Sequence, residues 1–149
     1  MNRVKFSWAI TGTVLVADEI CKILIAYFFP TLLVKNLGLP FGIPLPASTV
    51  TSRPNFFIFW ALTVALLIFI LTAGKFFRAN RTALSLILGG ALSNLADRAL
   101  LGYVRDYIHL GIGTVNLADV AVWIGIGMLL FNIKNPNPNS EDQTPNKQQ

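Results

Sequence analysis

Asp106 and Asp119 flank a short, glycine-bearing connection between two long apolar segments, and with Asp97 they make up three of the seven acids in a chain that is 54% hydrophobic. Carboxylates beside a bilayer are costly and by default mark function. Two that come within hydrogen-bond reach repel each other, share one proton and titrate in separate steps. The ionised member then takes a proton from water while the neutral one polarises a peptide carbonyl. The plainer reading makes Asp119 a helix N-terminal acid favoured by the macrodipole, and Asp106 a solvated loop acid. Asn94 and Asn116 each precede an aspartate by three residues, a spacing that puts both side chains on one helical face.

Further polar residues lie within apolar surroundings. Asp18 and Lys22 are one helical turn apart and are expected to pair, since Asp18 lies roughly 18 Å along its helix and an unpaired charge there is expensive. That pair either fixes helix packing or lets Lys22 steady a catalytic carboxylate or a lipid phosphate. Glu19 points elsewhere and has no evident partner. Asn94, Asp97 and Arg98 form one polar stripe, preceded by the small residues Gly89, Gly90, Ala91 and Ser93, which suit close helix approach in lipid. The stripe serves as packing glue, or Arg98 holds a carboxylate or phosphate through its planar fork. His109 is the single histidine, so a metal site is not expected. No glycine-rich phosphate loop or serine elbow occurs. Cys21, the one cysteine, reads as an inert buried thiol and says nothing of the redox compartment.

The elements that must position these residues are four apolar segments, roughly Phe6–Phe29, Asn55–Phe77, Thr82–Leu101 and Val115–Ile133, each long enough as a helix to span a bilayer. Residues 1–134 read as one four-helix membrane domain, and the polar, proline-rich stretch 135–149 as a disordered tail. The first segment runs too far past Asp18 and Lys22 for a signal peptide and reads as a retained helix. Only the second segment is uniformly apolar, so it faces lipid while the other three enclose the polar residues. The basic residues lie mostly at segment ends, which argues against nucleic-acid binding. Arg3, Lys5, Lys75, Arg78, Arg81, Lys134 and Lys147 fall on one side, and Lys35, Arg53 and Arg105 on the other. This puts both termini in the cytoplasm and the loops 30–54 and 102–114 outside, with Asp106 and Asp119 at the outer leaflet. Loop 30–54 holds five of the eight prolines, which excludes a helix. Thr31–Lys35 and Val50–Arg53 are expected to form a small sheet against the membrane surface.

Five motifs in order, DEICK (18–22), NLGLPFG (36–42), GGALSNLADR (89–98), GYVRD (102–106) and NLAD (116–119), resemble signal peptidase II, the bacterial lipoprotein signal peptidase family. The resemblance covers about residues 14–122. It implies an all-α membrane protein of four transmembrane helices with a small extracytoplasmic β-cradle between the first two, in the bacterial inner membrane. It further implies an aspartyl endopeptidase, without metal or other cofactor, that cleaves prolipoproteins before a diacylglyceryl-modified cysteine. Asp106 and Asp119 match the catalytic dyad, while Asp18, Lys22, Asn36, Asn94, Asp97, Arg98, Asn116 and Ala118 match the polar residues around it. Asn36 corresponds to an asparagine that helps hold substrate. Pro40 stands where the family commonly has alanine, and Glu19 and Arg105 add charges beside Asp18 and Asp106. The expected partners are the lipidated precursor and membrane lipids, and nothing demands more than a monomer. Two rival readings remain: a small transporter or proton relay, with polar groups spread through the whole depth, and an inactive relative that binds precursors without cutting them.

Overall fold

Three of the four apolar segments are helices in the computed structural model, which describes residues 7–37, 80–111 and 113–135. They are α1 (Trp8–Phe28), α2 (Arg81–Leu101) and α3 (Leu117–Lys134). The expected helix Asn55–Phe77, the strand Val50–Arg53, Pro40 and the tail from residue 136 lie outside the described residues. By length and composition α2 and α3 suit a membrane crossing. α1 is as long as α2, 21 residues, but carries Asp18, Glu19 and Lys22 within its span.

Local chemistry sets the helix ends. α1 stops at Phe29, just before Pro30, which opens a 3-10 turn over Pro30–Leu32. The expected strand Thr31–Lys35 is therefore shortened to β1, Val34–Asn36. α2 closes on Gly102, whose left-handed backbone (φ 82°) lets its N–H reach the Arg98 carbonyl. α3 begins later than the expected Val115, because Asn116 is its N-cap and forms a reciprocal capping box with Asp119. Asn116 and Asp119 thus meet as cap and N3 residue, not as neighbours on one helical face.

The connection between α2 and α3 is not a plain loop. It holds β2 (Val104–Asp106), β3 (Ile108–His109) and β4 (Thr114–Val115). β3 and β4 form a hairpin, and β2 pairs antiparallel with β1. The expected sheet lay within the 30–54 loop, but the partner β1 takes among the described residues comes from beyond α2. Val34 opposes Asp106, Lys35 opposes Arg105 and Asn36 opposes Val104. Strand alternation therefore puts Asn36 and Asp106 on one face and Arg105 on the other.

Adjacent glycines bring the three helices together. A Cβ on Gly89 would lie 2.8 Å from the Thr11 carbonyl oxygen and the Val14 Cβ on α1, and one on Gly90 would collide with the Ala118 carbonyl oxygen on α3. Successive helical positions point about 100° apart, so this pair lets α2 touch both neighbours at one level. Farther along, Leu84, Ile87 and Leu88 form an apolar cluster with Leu92 and Leu129 against it. The burial pattern is inverted relative to a water-soluble domain. Among the described residues the buried polar side chains outnumber the buried apolar ones, while Tyr27, Leu100 and Phe131 are exposed at 78%, 82% and 66%. Apolar outer faces around a polar interior suit lipid as the surrounding solvent.

Candidate active site

Asp106 and Asp119 lie buried where β2 and the start of α3 converge, at 0% and 4% exposure, so Asp106 is not the solvated loop acid of the plainer reading. Each of their carboxylate oxygens accepts a hydrogen bond from a neutral amide. Asn36 Nδ2 donates to Asp106 Oδ2 at 2.8 Å, and Asn116 Nδ2 to Asp106 Oδ1 at 2.9 Å. Asn94 Nδ2 donates to Asp119 Oδ1 at 2.8 Å, and the Asn116 backbone N–H to Asp119 Oδ2 at 3.2 Å. Asn116 links the two acids, since its side-chain oxygen also accepts the Asp119 N–H at 2.9 Å and its amide donates to Asn94 Oδ1 at 2.9 Å. Asn36 reaches Asp106 across the β1–β2 ladder as a diagonal neighbour on the same face.

Burial in this setting pushes the Asp106 carboxyl up to about 6, with the nearby Asp119 charge adding to the effect and the Asn36 and Asn116 bonds opposing it. Near neutral pH both protonation states of Asp106 are therefore within easy reach. That is the property an acid–base group needs.

Beside this pair lies a second set of carboxylates with different partners. Lys22, its side chain fully buried, meets Asp18 at 2.6 Å, as its spacing predicts, and also Asp97 at 3.0 Å and Glu19 at 3.7 Å. Arg105 meets Asp97 at 2.5 Å and Glu19 at 2.6 Å. Glu19, expected to lack a partner, is held by two cations: Lys22, three residues on in α1, and Arg105, brought in because β2 folds back against α1 from far along the chain. The Ser93 hydroxyl donates to Asp18 at 2.7 Å. Asp18 in turn accepts the Ala118 N–H at 3.0 Å and so helps cap α3. Arg98 interacts electrostatically with Asp119, Asp106 and Asp97, which places its charge at the junction of the two sets. Arg105 faces away from Asp106, as alternation along β2 requires.

Asp18, Lys22, Asn36, Asn94, Asp97, Arg98, Asn116 and Ala118 thus surround Asp106 and Asp119 in one connected network. Ser93 and Tyr107 are additions to the residues singled out from sequence. Ser93 is one helical turn from Asp97, a spacing that was available as a signal. Tyr107 accepts the Leu117 N–H through its hydroxyl at 3.2 Å, a contact that depends on tertiary structure. With that contact, the first three N–H groups of α3 are met by Tyr107, Asp18 and Asn116. The position of Asp119 is therefore fixed from several elements at once.

Apolar helices enclosing a polar, carboxylate-rich end define the class of this molecule as a helical membrane enzyme. Comparison with known proteins agrees. Two solved structures, each described as a bacterial membrane enzyme, match with TM-scores of 0.61 and 0.59 at 26% identity, covering 88% and 93% of this chain and 94% and 97% of theirs. The model of the signal peptidase (SPase) II family matches residues 10–134. The lipoprotein signal peptidase of Moorella thermoacetica is 36% identical over 117 residues, 75% of this chain and 73% of that protein. That of Aquifex aeolicus is 37% identical over 112 residues, 70% of this chain and 65% of that protein. The chain belongs to the signal peptidase II family, which is a family of proteases.

Proposed function

We propose that this chain is a membrane aspartyl endopeptidase that removes signal peptides from diacylglyceryl-modified prolipoproteins, cutting before the lipid-modified cysteine. Family membership supports the reaction class. The observation that carries the catalytic assignment is the pair Asp106 and Asp119, buried together, bridged by Asn116 and held by hydrogen bonds from asparagine and backbone amides. Asn94, Asn116 and Asn36 orient the two carboxylates. The remaining network residues hold the helix ends.

In the proposed reaction the ionised aspartate takes a proton from water as the water oxygen attacks the scissile carbonyl carbon. The protonated aspartate gives its proton to the carbonyl oxygen, forming a neutral tetrahedral diol. Collapse re-forms the carbonyl, breaks the C–N bond and returns a proton to the leaving amine. No bond to the protein forms at any step. The amide-held carboxylates suit such an exchange, because neutral amides fix their positions without supplying a full charge.

Four spanning helices, counting 55–77, with both termini in the cytoplasm, would put the dyad at the outer leaflet. There a lipid-anchored precursor reaches it by lateral diffusion, and water is at hand. The β1–β2 ribbon beside Asp106 is the described part of the cradle proposed to hold the substrate, and the protein is proposed to act as a monomer. Among the described residues, the buried titratable groups run from the middle of α1 toward the end where α2 finishes and α3 starts, which weighs against a relay through the full depth.

The test is conversion of a diacylglyceryl-modified prolipoprotein by purified protein in detergent, read as a gel shift. Wild type should cleave, and Asp106→Asn and Asp119→Asn should each lose about 10³-fold or more while still binding precursor. Binding without cleavage by the wild type would instead establish an inactive relative.

A further inference from the structure

The dyad mechanism leaves one charged cluster without a role: Glu19 on α1, Arg105 on β2 and Asp97 on α2. Arg105 is the residue before Asp106, yet its side chain leaves the opposite face of the strand. Its backbone N–H donates to Asp97 Oδ2 at 3.0 Å, while its guanidinium engages Asp97 Oδ1 through Nε at 2.9 Å and also through Nη2. The same Nη2 reaches Glu19 Oε2 at 2.6 Å. One arginine therefore ties the strand that bears Asp106 to two helices. Asp97 is nearly fully buried and Arg105 only 16% exposed, so screening by water is limited.

Counted among these five groups alone, Asp18, Glu19 and Asp97 face Lys22 and Arg105 with one negative charge in excess, and Arg98 adds its positive charge beside Asp97. Removing Arg105 alone leaves three carboxylates around one lysine, but removing Glu19 together with Arg105 restores the same excess of one. Glu19 and Arg105 are thus a charge-neutral pair. The Asp97 bond to the backbone of residue 105 needs neither side chain.

We propose that Glu19 and Arg105 form a clamp that positions β2, and through it the Asp106 carboxylate, against α1 and α2. Both are positioning residues: they act on Asp106 through the backbone. This rests on the assignment of Asp106 as a catalytic carboxylate. A displacement of about 1 Å at a reacting group costs up to 10²-fold in rate, so loosening the strand is expected to lower kcat and spare KM.

The experiment compares Arg105→Gln, Glu19→Gln, their double variant, Arg105→Lys and Asp106→Asn in the full-length protein, with cleavage kinetics on a lipidated prolipoprotein and amide hydrogen exchange over residues 104–106. Arg105→Gln should lower kcat about tenfold with KM within about twofold, and speed exchange in β2 about tenfold. Arg105→Lys, which keeps the charge without the fork, should retain more activity and cover the case in which Arg105→Gln does not fold. Adding Glu19→Gln to Arg105→Gln should recover part of kcat, because charge balance returns. A double variant worse than both singles, a rise in KM at unchanged kcat, or unchanged kcat in Arg105→Gln would each overturn the clamp. Continued cleavage by Asp106→Asn would instead overturn the dyad, and the exchange data would still judge whether the pair fastens β2.

Discussion

Two groups of carboxylates lie side by side in this protein, and their partners differ in kind. Asp18, Glu19 and Asp97 are matched to Lys22 and Arg105 in ion pairs. Asp106 and Asp119 are matched to asparagine amides. A cation gives a buried carboxylate a full opposite charge, which fixes it as an anion and ties elements together. An amide gives it only a dipole, so the proton remains exchangeable. Under the proposed assignment, the same type of side chain serves as fastening in one place and as reactive group in the other.

The comparison breaks most severely if the cationic region loses its centre. Lys22→Met leaves Asp18 and Asp97 buried without their shared partner and is expected to destabilise the protein by about 3–5 kcal/mol. Thermal unfolding in detergent reads this, and an unchanged Tm would mean that the cluster is not an organising ion set. Asn116→Ala attacks the amide region instead, removing the side-chain donor to Asp106 and half of the α3 capping box. A loss of about 10²-fold in kcat is expected from misplacement of both acids, together with roughly 1 kcal/mol of stability from the lost cap. Equal kcat in wild type and variant would show that the bridge does not set the geometry.

Gly90→Ala touches neither set of side chains but drives a methyl into the Ala118 carbonyl. Separation of α2 from α3 should cost about 1–3 kcal/mol and lower activity by lengthening the Asn94–Asp119 bond. Full activity in that variant would mean that the α2–α3 spacing at this level is not critical.

A last test sharpens the contrast through pH. With the Asp106 carboxyl raised from its ordinary 3.8 to about 6, the folded protein binds more protons than the unfolded chain between those values. Its stability should accordingly fall as pH rises through that window and level off above about 6. A pH series of Tm should show this slope in wild type and a flatter one in Asp106→Asn. Identical slopes would remove Asp106 as the cause.

Much of the site was legible because its residues lie at helical spacings. Asp18 and Lys22 pair as four-residue neighbours, and Asn94, Asp97 and Arg98 share a stripe, since helix geometry alone fixes which side chains meet. The apolar segments also announced α1, α2 and α3, with errors only at ends where capping chemistry decided the boundary. Glu19 is half legible: Lys22 lies three residues on, at helical spacing, but Arg105 lies in a strand whose position depends on pairing with β1, and no local spacing encodes a contact between residues so far apart in sequence.

The sequence by itself determined the class of residue at each place: carboxylates and asparagines at segment ends, small residues at one helix level, apolar side chains elsewhere. Only the tertiary structure decided that Arg105 meets Glu19 and Asp97 while Asp106 meets the amides of Asn36 and Asn116. That choice turns on strand alternation at Arg105 and Asp106, and on the close approach of α2 to both neighbours at Gly89 and Gly90. Alternation and close approach are properties of packed elements. They sort chemically identical carboxylates into different surroundings, which spacing along one chain does not do.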